Sequence, residues 1–118
     1  MATVTVDGPD LVVRLSWKEK LGAVHGDVRV PVRSVQAATV ELTPWNVIRG
    51  VKFAGTGIPG RTALGVRQSR EGKDFTAVHP NQPAVRIDLD EKSPYSRLIV
   101  SVPSPEDTVA AVCAAAGI

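Results

Sequence analysis

The chain has 118 residues, of which 43% are hydrophobic and 22% are charged, and its formal net charge is +2. That length suffices for one domain with a buried core but not for two, so we treat residues 1–118 as a single domain. The sequence contains no apolar run near the roughly 20 residues that span a bilayer, no signal-peptide pattern and one cysteine, which permits no internal disulfide. We therefore expect a cytoplasmic protein, and the small net charge argues against specific nucleic-acid binding.

The sequence opens with a predicted hairpin. Residues 3–6 and 11–15 alternate between apolar and polar types or run apolar, as strands do, and a turn rich in Asp, Gly and Pro separates them. Further strands are predicted at 27–30 and 35–42, and Pro31 confines the first of these to a sheet edge or a strand end. An open edge of this kind would also let two copies of the chain pair as a homodimer.

A short helix is predicted between these two pairs of strands. Ser16 stands three residues before Glu19, which is the spacing of a capping box. Trp17, Leu21 and Val24 recur at i, i+4 and i+7 and so share one face of the helix. We expect that face to pack into the core, with Trp17 as a core plug rather than a platform for a ligand.

The second half of the chain alternates strands and turns before it ends in a helix. Thr43 and Pro44 predict a single helical turn, which the apolar residues after them pack down. We expect the Ser104 side chain to cap the terminal helix, Pro105 to be its first residue and Gly117 to end it. Strands are predicted at 62–67, 75–79, 84–90 and 97–102. The apolar stripe of the terminal helix consists of Val109, Val112, Cys113 and Ala116.

This order of elements predicts an α+β fold that is mainly β. Seven or eight short strands with frequent turns, one small inserted helix and one terminal helix are typical of a closed or nearly closed antiparallel barrel. We expect the terminal helix to cap the barrel.

Gly55, Gly57 and Gly60 have the G-x-G-x-x-G spacing that binds the pyrophosphate of a dinucleotide. That function requires a buried strand before the glycines and a crossover helix after them. The segment that follows, 62–67, is too short for such a helix before the next turn at Gly72. We favour a glycine-rich turn whose glycines supply positive φ angles.

Basic residues are concentrated around this glycine segment. Residues 49–73 contain six basic residues and one acidic residue, a net charge of +5, whereas the rest of the chain carries −3. A basic loop with free backbone amides could bind a phosphate, an anionic surface or an acidic partner. The simpler interpretation is a set of solvated surface charges. The candidate ligand-binding residues are Gly55, Thr56, Gly57, Gly60, Arg61, Arg67 and Lys73.

The residues that most often carry chemistry are scattered. His25, His79 and Cys113 fall in different predicted elements, and no pair has metal-ligand spacing. Cys113 lies on the apolar stripe of the last helix, where cysteine usually packs as a small hydrophobic residue. Asp88 and Asp90 share one face of a strand, whose neighbouring charges indicate a solvated face rather than an acid–base pair. We therefore predict no catalytic residue, no metal site and no cofactor.

Parts of the sequence are similar to known families. Residues 11–40 resemble bacterial pleckstrin-homology-like domains. The segments 55–60, 72–75 and 98–102 are similar to small uncharacterised proteins of high-GC bacteria. The resemblance implies a pleckstrin-homology-like barrel without an established activity. In membrane-binding members a basic first hairpin loop grips a phosphoinositide, but here residues 7–10 are acidic, so that lipid site is not carried over.

These observations predict a non-enzymatic interaction module that binds a protein partner whose identity is unknown. The alternative is that the basic, glycine-rich segment 49–73 binds a phosphorylated ligand or an anionic surface.

Overall fold

A computed structural model describes residues 1–52 and 55–118 together with their side chains. The described chain contains two α-helices, α1 (Trp17–Ala23) and α2 (Pro105–Ala116), and two 3-10 turns, Val32–Ser34 and Pro44–Asn46. Its strands are β1 (Thr3–Asp7), β2 (Asp10–Arg14), β3 (Val28–Pro31), β4 (Val35–Glu41), β5 (Val51–Ile58), β6 (Thr62–Ser69), β7 (Gly72–Val78), β8 (Ala84–Leu89) and β9 (Arg97–Val100).

The strands form two sheets that are not closed into a barrel. The smaller sheet has the order β1-β2-β3 and the larger one has the order β4-β8-β9-β7-β6-β5. The fold is mainly β, as predicted, and β3 with Pro31 is an edge strand, also as predicted. The expectation of a closed barrel is wrong, because β4 and β5 remain as the two open edges of the larger sheet.

The expectation of a wholly antiparallel sheet is also wrong, because β7 and β9 are parallel. β7 and β8 run in opposite directions, and β9 lies between them. A strand inserted between two antiparallel strands must run parallel to one of them. The short connection from β7 to β8 therefore imposes the parallel pair.

The main core lies between the two sheets. Along β8, Val85, Ile87 and Leu89 all face it, as the alternation predicts. The smaller sheet contributes its inward-facing residues from β2 and β3 in the same way. Fully buried residues of this core include Leu11, Val13, Val28, Val30, Phe75, Val85, Ile87, Leu98 and Val100.

Helix α2 covers the seam between the sheets, in contact with β1 and β4. It begins at Pro105 and is closed by Gly117 in the left-handed conformation, as predicted. The Ser104 side chain makes no capping hydrogen bond, so that part of the prediction is wrong. Val112 is buried in the core. The other residues of the predicted stripe, Val109, Cys113 and Ala116, are half-buried.

Residues 42–50, which we call the strap, cross the outer face of the larger sheet. They connect β4 at one edge to β5 at the other, a separation of five strand spacings or about 24 Å. Nine residues can extend about 30 Å at most, so the strap has little slack. As predicted, Trp45, Val47 and Ile48 pack it down, against Ala63, Val78, Ala84 and Ile99 of the sheet.

A row of charged residues runs across the outer face beneath the strap. Neighbouring strands place one charged residue each in register, and the row consists of Lys52, Arg67, Asp74, Arg97 and Asp88. Arg97 Nε donates to Asp88 Oδ1 at 2.8 Å, and its Nη1 donates to the strap carbonyl of Val47 at 3.0 Å. The charged residues of the row therefore form hydrogen bonds with the strap as well as with one another.

The strongest link between row and strap is made by Asp74. Its side chain is 1% exposed, and it accepts hydrogen bonds from Arg49 Nε at 2.7 Å and Nη2 at 3.1 Å. Arg67 adds bonds from its guanidinium to the carbonyls of Arg49, at 3.2 Å, and Gly50, at 3.0 Å. Two-point pairing of a guanidinium with a carboxylate fixes orientation as well as distance.

The glycine segment is a strand rather than a turn, which corrects the prediction. Gly55 and Gly57 lie in β5, and the turn is confined to residues around Gly60, where the Arg61 amide donates to the Ile58 carbonyl at 2.9 Å. Gly55 pairs with Gly65 of β6, and their φ angles are +122° and +121°. These glycines allow the backbones of β5 and β6 to approach closely, so they serve the sheet.

Helix α1 has the predicted capping box but the opposite orientation. Ser16 Oγ accepts from the Glu19 amide at 3.3 Å, and Glu19 Oε1 accepts from the Ser16 amide at 3.0 Å. Trp17, Leu21 and Val24, expected in the core, are 68%, 70% and 73% exposed. Successive residues of an α-helix are about 100° apart, so Glu19 and Trp17 point to opposite sides. Glu19 and Ala23 are the buried residues of this helix.

Replacing Gly55 with alanine should destabilise the fold. A Cβ at this position would lie 1.9 Å from the Leu64 carbonyl oxygen, in a backbone conformation that side chains rarely adopt. We expect Gly55→Ala to lower the free energy of unfolding by about 2–3 kcal/mol in urea titrations. Gly26→Ala, where a Cβ meets nothing within 4 Å, is the control and should change it by less than about 0.5 kcal/mol. Equal effects would show that the close approach of β5 and β6 is not needed.

Candidate functional site

The seven candidate residues predicted from the sequence do not converge on one site. Gly55, Thr56 and Gly57 lie along β5, and Gly60 and Arg61 lie in the turn that follows. Arg67 is on the outer face of β6, and Lys73 is at the far end of the β6–β7 hairpin, paired with Gln68. Six strand residues lie between Arg61 and Gln68, and seven residue spacings of about 3.3 Å put the two ends about 23 Å apart.

Two of these residues use their polar groups within the protein. The Thr56 hydroxyl donates to the Gly22 carbonyl of α1 at 2.7 Å, which ties that helix to the β5–β6 hairpin. The Arg67 guanidinium donates to the strap carbonyls described above. Neither group is therefore free to meet a ligand without a loss of structural contacts.

Gly60 and Arg61 do line a cleft. Its volume is about 260 Å³, and it lies between the strap, the β5–β6 turn and the turn from β7 to β8. Arg61 is exposed, and its guanidinium makes no hydrogen bond or ion pair with the described residues. The lining residues are Leu42, Thr43, Pro44, Trp45, Gly60, Arg61, Val78, His79, Asn81 and Gln82.

Next to this cleft, the half-buried His79 pairs with the buried Glu19, a contact that the sequence did not predict. His79 Nε2 donates to Glu19 Oε2 at 2.7 Å, and the Ala2 amide donates to the same oxygen at 3.1 Å. Burial raises the pKa of Glu19, but the hydrogen bonds from His79 and Ser16 outweigh it, so the pKa lies below its ordinary value of 4.5. The two residues are 60 positions apart, so no local pattern could have paired them.

The second histidine closes the opposite side of the core. His25 Nδ1 lies 2.7 Å from the Gly26 carbonyl, so this nitrogen is the donor, and Nε2 accepts from the Tyr95 hydroxyl at 2.9 Å. The imidazole also packs on Phe75, with ring centroids 5.2 Å apart. Burial raises the pKa of Tyr95. Both ring nitrogens are satisfied, so the structure gives His25 a packing role.

Asp88 and Asp90 do not act as a pair. Burial raises the pKa of Asp88, but hydrogen bonds from Arg86 and Arg97 bring it below the ordinary value. Asp90 accepts from the Lys92 amide at 3.0 Å and so holds the turn after β8. Asp88 is half-buried in the charged row, which corrects the predicted solvated face. Within residues 1–52 and 55–118, no three His, Cys, Asp or Glu side chains gather as metal ligands.

The outer face of α1 is a second candidate surface. Trp17, Leu21 and Val24 form an exposed apolar stripe, and Lys18 Nζ lies 5.7 Å from the centre of the Trp17 ring. Lys20 is also exposed and pairs with Asp27 at 3.7 Å. The arrangement is an apolar stripe beside basic residues, whereas the cleft combines an apolar wall with a single guanidinium.

Comparison of this chain with protein-family models, curated proteins and solved structures gives no match. In the described part of the chain, neither helix is both long and apolar enough to cross a membrane.

Glu19→Gln should reduce stability in a pH-dependent way. Because the folded-state pKa of Glu19 is below 4.5, its carboxylate contributes stability that is complete above about pH 4.5 and is lost as the pH falls through the folded-state value. We expect the variant to be less stable than the parent by about 1–3 kcal/mol at pH 6–7, with the difference shrinking at lower pH. Urea unfolding between pH 3 and pH 7 measures it.

Glu91→Gln, at an exposed turn position, is the control for this experiment and should leave the pH dependence of unfolding unchanged. A difference between Glu19→Gln and the parent that stays constant from pH 3 to pH 7 would contradict the assignment.

Proposed function

We propose that the chain is a non-enzymatic, cytoplasmic interaction module of the pleckstrin-homology-like kind. It binds an acidic and apolar segment of a protein partner through the outer face of α1. The observation that carries the proposal is the exposure of Trp17 and Leu21 on the seven-residue helix α1 and of Val24 at its C-terminal cap, which are 68%, 70% and 73% exposed. Scattered apolar side chains on a surface are ordinary, but a contiguous stripe is typical of an interaction site.

The size of these side chains makes the stripe a good anchor. Fully burying a large apolar side chain contributes about 1.5–3 kcal/mol. Tryptophan in particular is enriched among the residues that dominate binding energy at interfaces. The stripe is also held firmly, because the capping box at Ser16 and the Thr56 bond to Gly22 fix both ends of the helix.

Val24 gives independent support. It caps the C-terminus of α1 with a φ of 52°, in the left-handed region. A β-branched residue is strained there, and glycine is the usual occupant. Strain of this kind is found at functional positions. An apolar side chain at this strained cap therefore supports a role for it on the surface.

Charge selects the class of partner. Arg14, Lys18 and Lys20 are all exposed beside or on α1, and Asp27 is the nearby acid that pairs with one of them at 3.7 Å. Exposed pairs of this type contribute little, so the surface keeps a basic rim. Acidic residues flanking an apolar segment complement such a rim.

The pleckstrin-homology-like assignment rests on two packed, mainly antiparallel sheets and on a C-terminal helix that covers their seam. The parallel β7–β9 pair and the open edges β4 and β5 are the features in which this chain departs from a closed barrel. The alternative function, binding of an anionic ligand by residues 49–73, retains Gly60 and Arg61 at the cleft.

Peptide binding should depend on the stripe. We expect a random-peptide display library to yield peptides that combine apolar residues with Asp or Glu, and the best of these, made synthetically, to bind the parent protein in titrations. Trp17→Ser with Leu21→Ser should weaken binding at least about tenfold through lost apolar burial. Ile118→Ser, which removes an apolar residue 58% exposed at the other end of the chain, is the matched control.

Two outcomes would overturn the proposal. One is a set of peptides that bind the double variant as tightly as the parent. The other is that no peptide binds, whereas vesicles of phosphatidylcholine with phosphatidylserine bind the parent protein but not the double variant. That result would make the stripe a membrane contact.

Val24→Gly should separate stability from binding. Glycine relieves the left-handed strain, so we expect the free energy of unfolding to rise by about 1 kcal/mol. The same substitution removes one apolar side chain from the stripe, so the affinity for the selected peptide should fall. Thermal unfolding and titration of the same preparation measure both. A variant that is both stabilised and fully active in binding would remove Val24 from the site.

A further inference from the structure

The cleft beside Arg61 has no part in the proposed protein contact. It is enclosed by the strap, the β5–β6 turn and the β7–β8 turn, and none of its lining residues belongs to α1. Its volume of about 260 Å³ is just below the range of about 300–1,000 Å³ that is usual for drug-sized ligands. The cleft thus suits a small molecule rather than a nucleotide or a polymer.

The polar side of the cleft offers several hydrogen-bond donors. The side chains of Arg61, Asn81 and Gln82 line it, all three are exposed, and none makes a hydrogen bond or ion pair with the described residues. The described lining includes no Asp or Glu side chain. A guanidinium without a counter-ion, next to two amides, is suited to a carboxylate or phosphate oxygen.

Behind the cleft, the carboxylate of Glu19 does not cancel this positive character. It is buried, and its Oε2 accepts from His79 Nε2 at 2.7 Å and from the Ala2 amide at 3.1 Å. Those hydrogen bonds satisfy the carboxylate within the protein, and it forms no ion pair with Arg61. The guanidinium of Arg61 therefore remains the uncompensated charge on the open side.

The opposite wall is apolar. Pro44 and Val78 are buried, and Trp45 is half-buried beside them. Leu42 is 79% exposed at the rim, so a ligand with an apolar body would cover it. An aromatic or branched aliphatic group against Trp45 and Leu42 would place an anionic substituent toward Arg61.

The walls are fixed before any ligand arrives. The strap that carries Trp45 is held by Arg97 at the Val47 carbonyl and by the two-point pair of Arg49 with Asp74. At the end of β7, the His79 amide donates to Ser101 Oγ at 3.2 Å. A preformed cleft does not lose affinity to the ordering of its walls.

We propose that this cleft binds a small organic anion, a carboxylate or a phosphate monoester, carried on a compact apolar body. Arg61 pairs with the anionic group, Asn81 and Gln82 donate to its remaining oxygens, and Trp45 and Leu42 pack on the body. This inference does not depend on the α1 surface, and each can fail without the other.

The test uses the full chain with Trp17→Phe, which leaves Trp45 as the single tryptophan of the two in the sequence. The probes are benzoate, phenyl phosphate, inorganic phosphate and benzyl alcohol. Their binding is measured by the change in Trp45 fluorescence and by calorimetry. We expect saturable binding of benzoate or phenyl phosphate below about 10 mM, and the tighter of the two identifies the anionic group. Benzyl alcohol, which lacks the charge, should not bind.

Arg61→Gln should weaken the anion at least about tenfold. Arg70→Gln, an exposed arginine in the β6–β7 turn, is the matched control and should bind like the parent. Leu42→Ala should weaken phenyl phosphate or benzoate but not inorganic phosphate. Because these positions are exposed, we expect the variants to fold, and an unchanged circular dichroism spectrum will show that they do.

Three results would overturn the inference. They are no binding of any anion up to about 10 mM, equal weakening by Arg61→Gln and Arg70→Gln, and tight binding of inorganic phosphate without any gain from the phenyl group. The first result would show that the cleft does not bind organic anions. The second would show that Arg61 is not part of the site, and the third that the apolar wall does not contribute to binding.

Discussion

The outer face of the larger sheet depends on the burial of one carboxylate, that of Asp74. A charge that is 1% exposed would be costly without partners, because removing a carboxylate from water has a penalty of several kcal/mol. The two-point hydrogen bond from Arg49 compensates that penalty. Since Arg49 belongs to the strap, the carboxylate can be satisfied only when the strap lies across the sheet. The route of the strap is thereby fixed, and so is the place of Trp45.

On the inner side of the molecule, a second buried carboxylate, that of Glu19, positions helix α1. Glu19 is buried and accepts hydrogen bonds from the amides of Ala2 and Ser16 and from His79. A helix of seven residues has little stability of its own, so this anchor decides which side of α1 faces inward. The apolar stripe that begins at Trp17 is left outside as a result. Only 4% of the residues in this chain are aromatic. Buried carboxylates with their hydrogen-bond donors position α1 and the strap on the sheets, a task that large aromatic side chains perform in many other proteins.

The sequence predicted what depends on neighbours along the chain. The capping box at Ser16, the edge position of Pro31 and the ends of α2 were all predicted, because each follows from contacts within a few residues. The closed barrel, the glycine turn and the inward face of α1 were wrong for the opposite reason. Each is decided by a partner on another element, such as Gly65 of β6 for Gly55 or His79 for Glu19. For the candidate site, the sequence pointed to Gly60 and Arg61 but not to the strap residues and the β7–β8 turn that complete the cleft.

The two candidate surfaces are chemically separate but share one support. Glu19 Oε2 accepts a hydrogen bond from His79, and His79 also lines the cleft. The carboxylate of Glu19 therefore anchors helix α1 and also positions one wall of the cleft. The groups that would meet a partner or a ligand lie outside this support, on Trp17 and Arg61. The carboxylate of Glu19 is itself satisfied by hydrogen bonds within the protein. Because the buried support and the exposed contact groups are different residues, one small domain can present both the apolar, basic-rimmed face and the proposed anion-binding cleft without loss of core contacts.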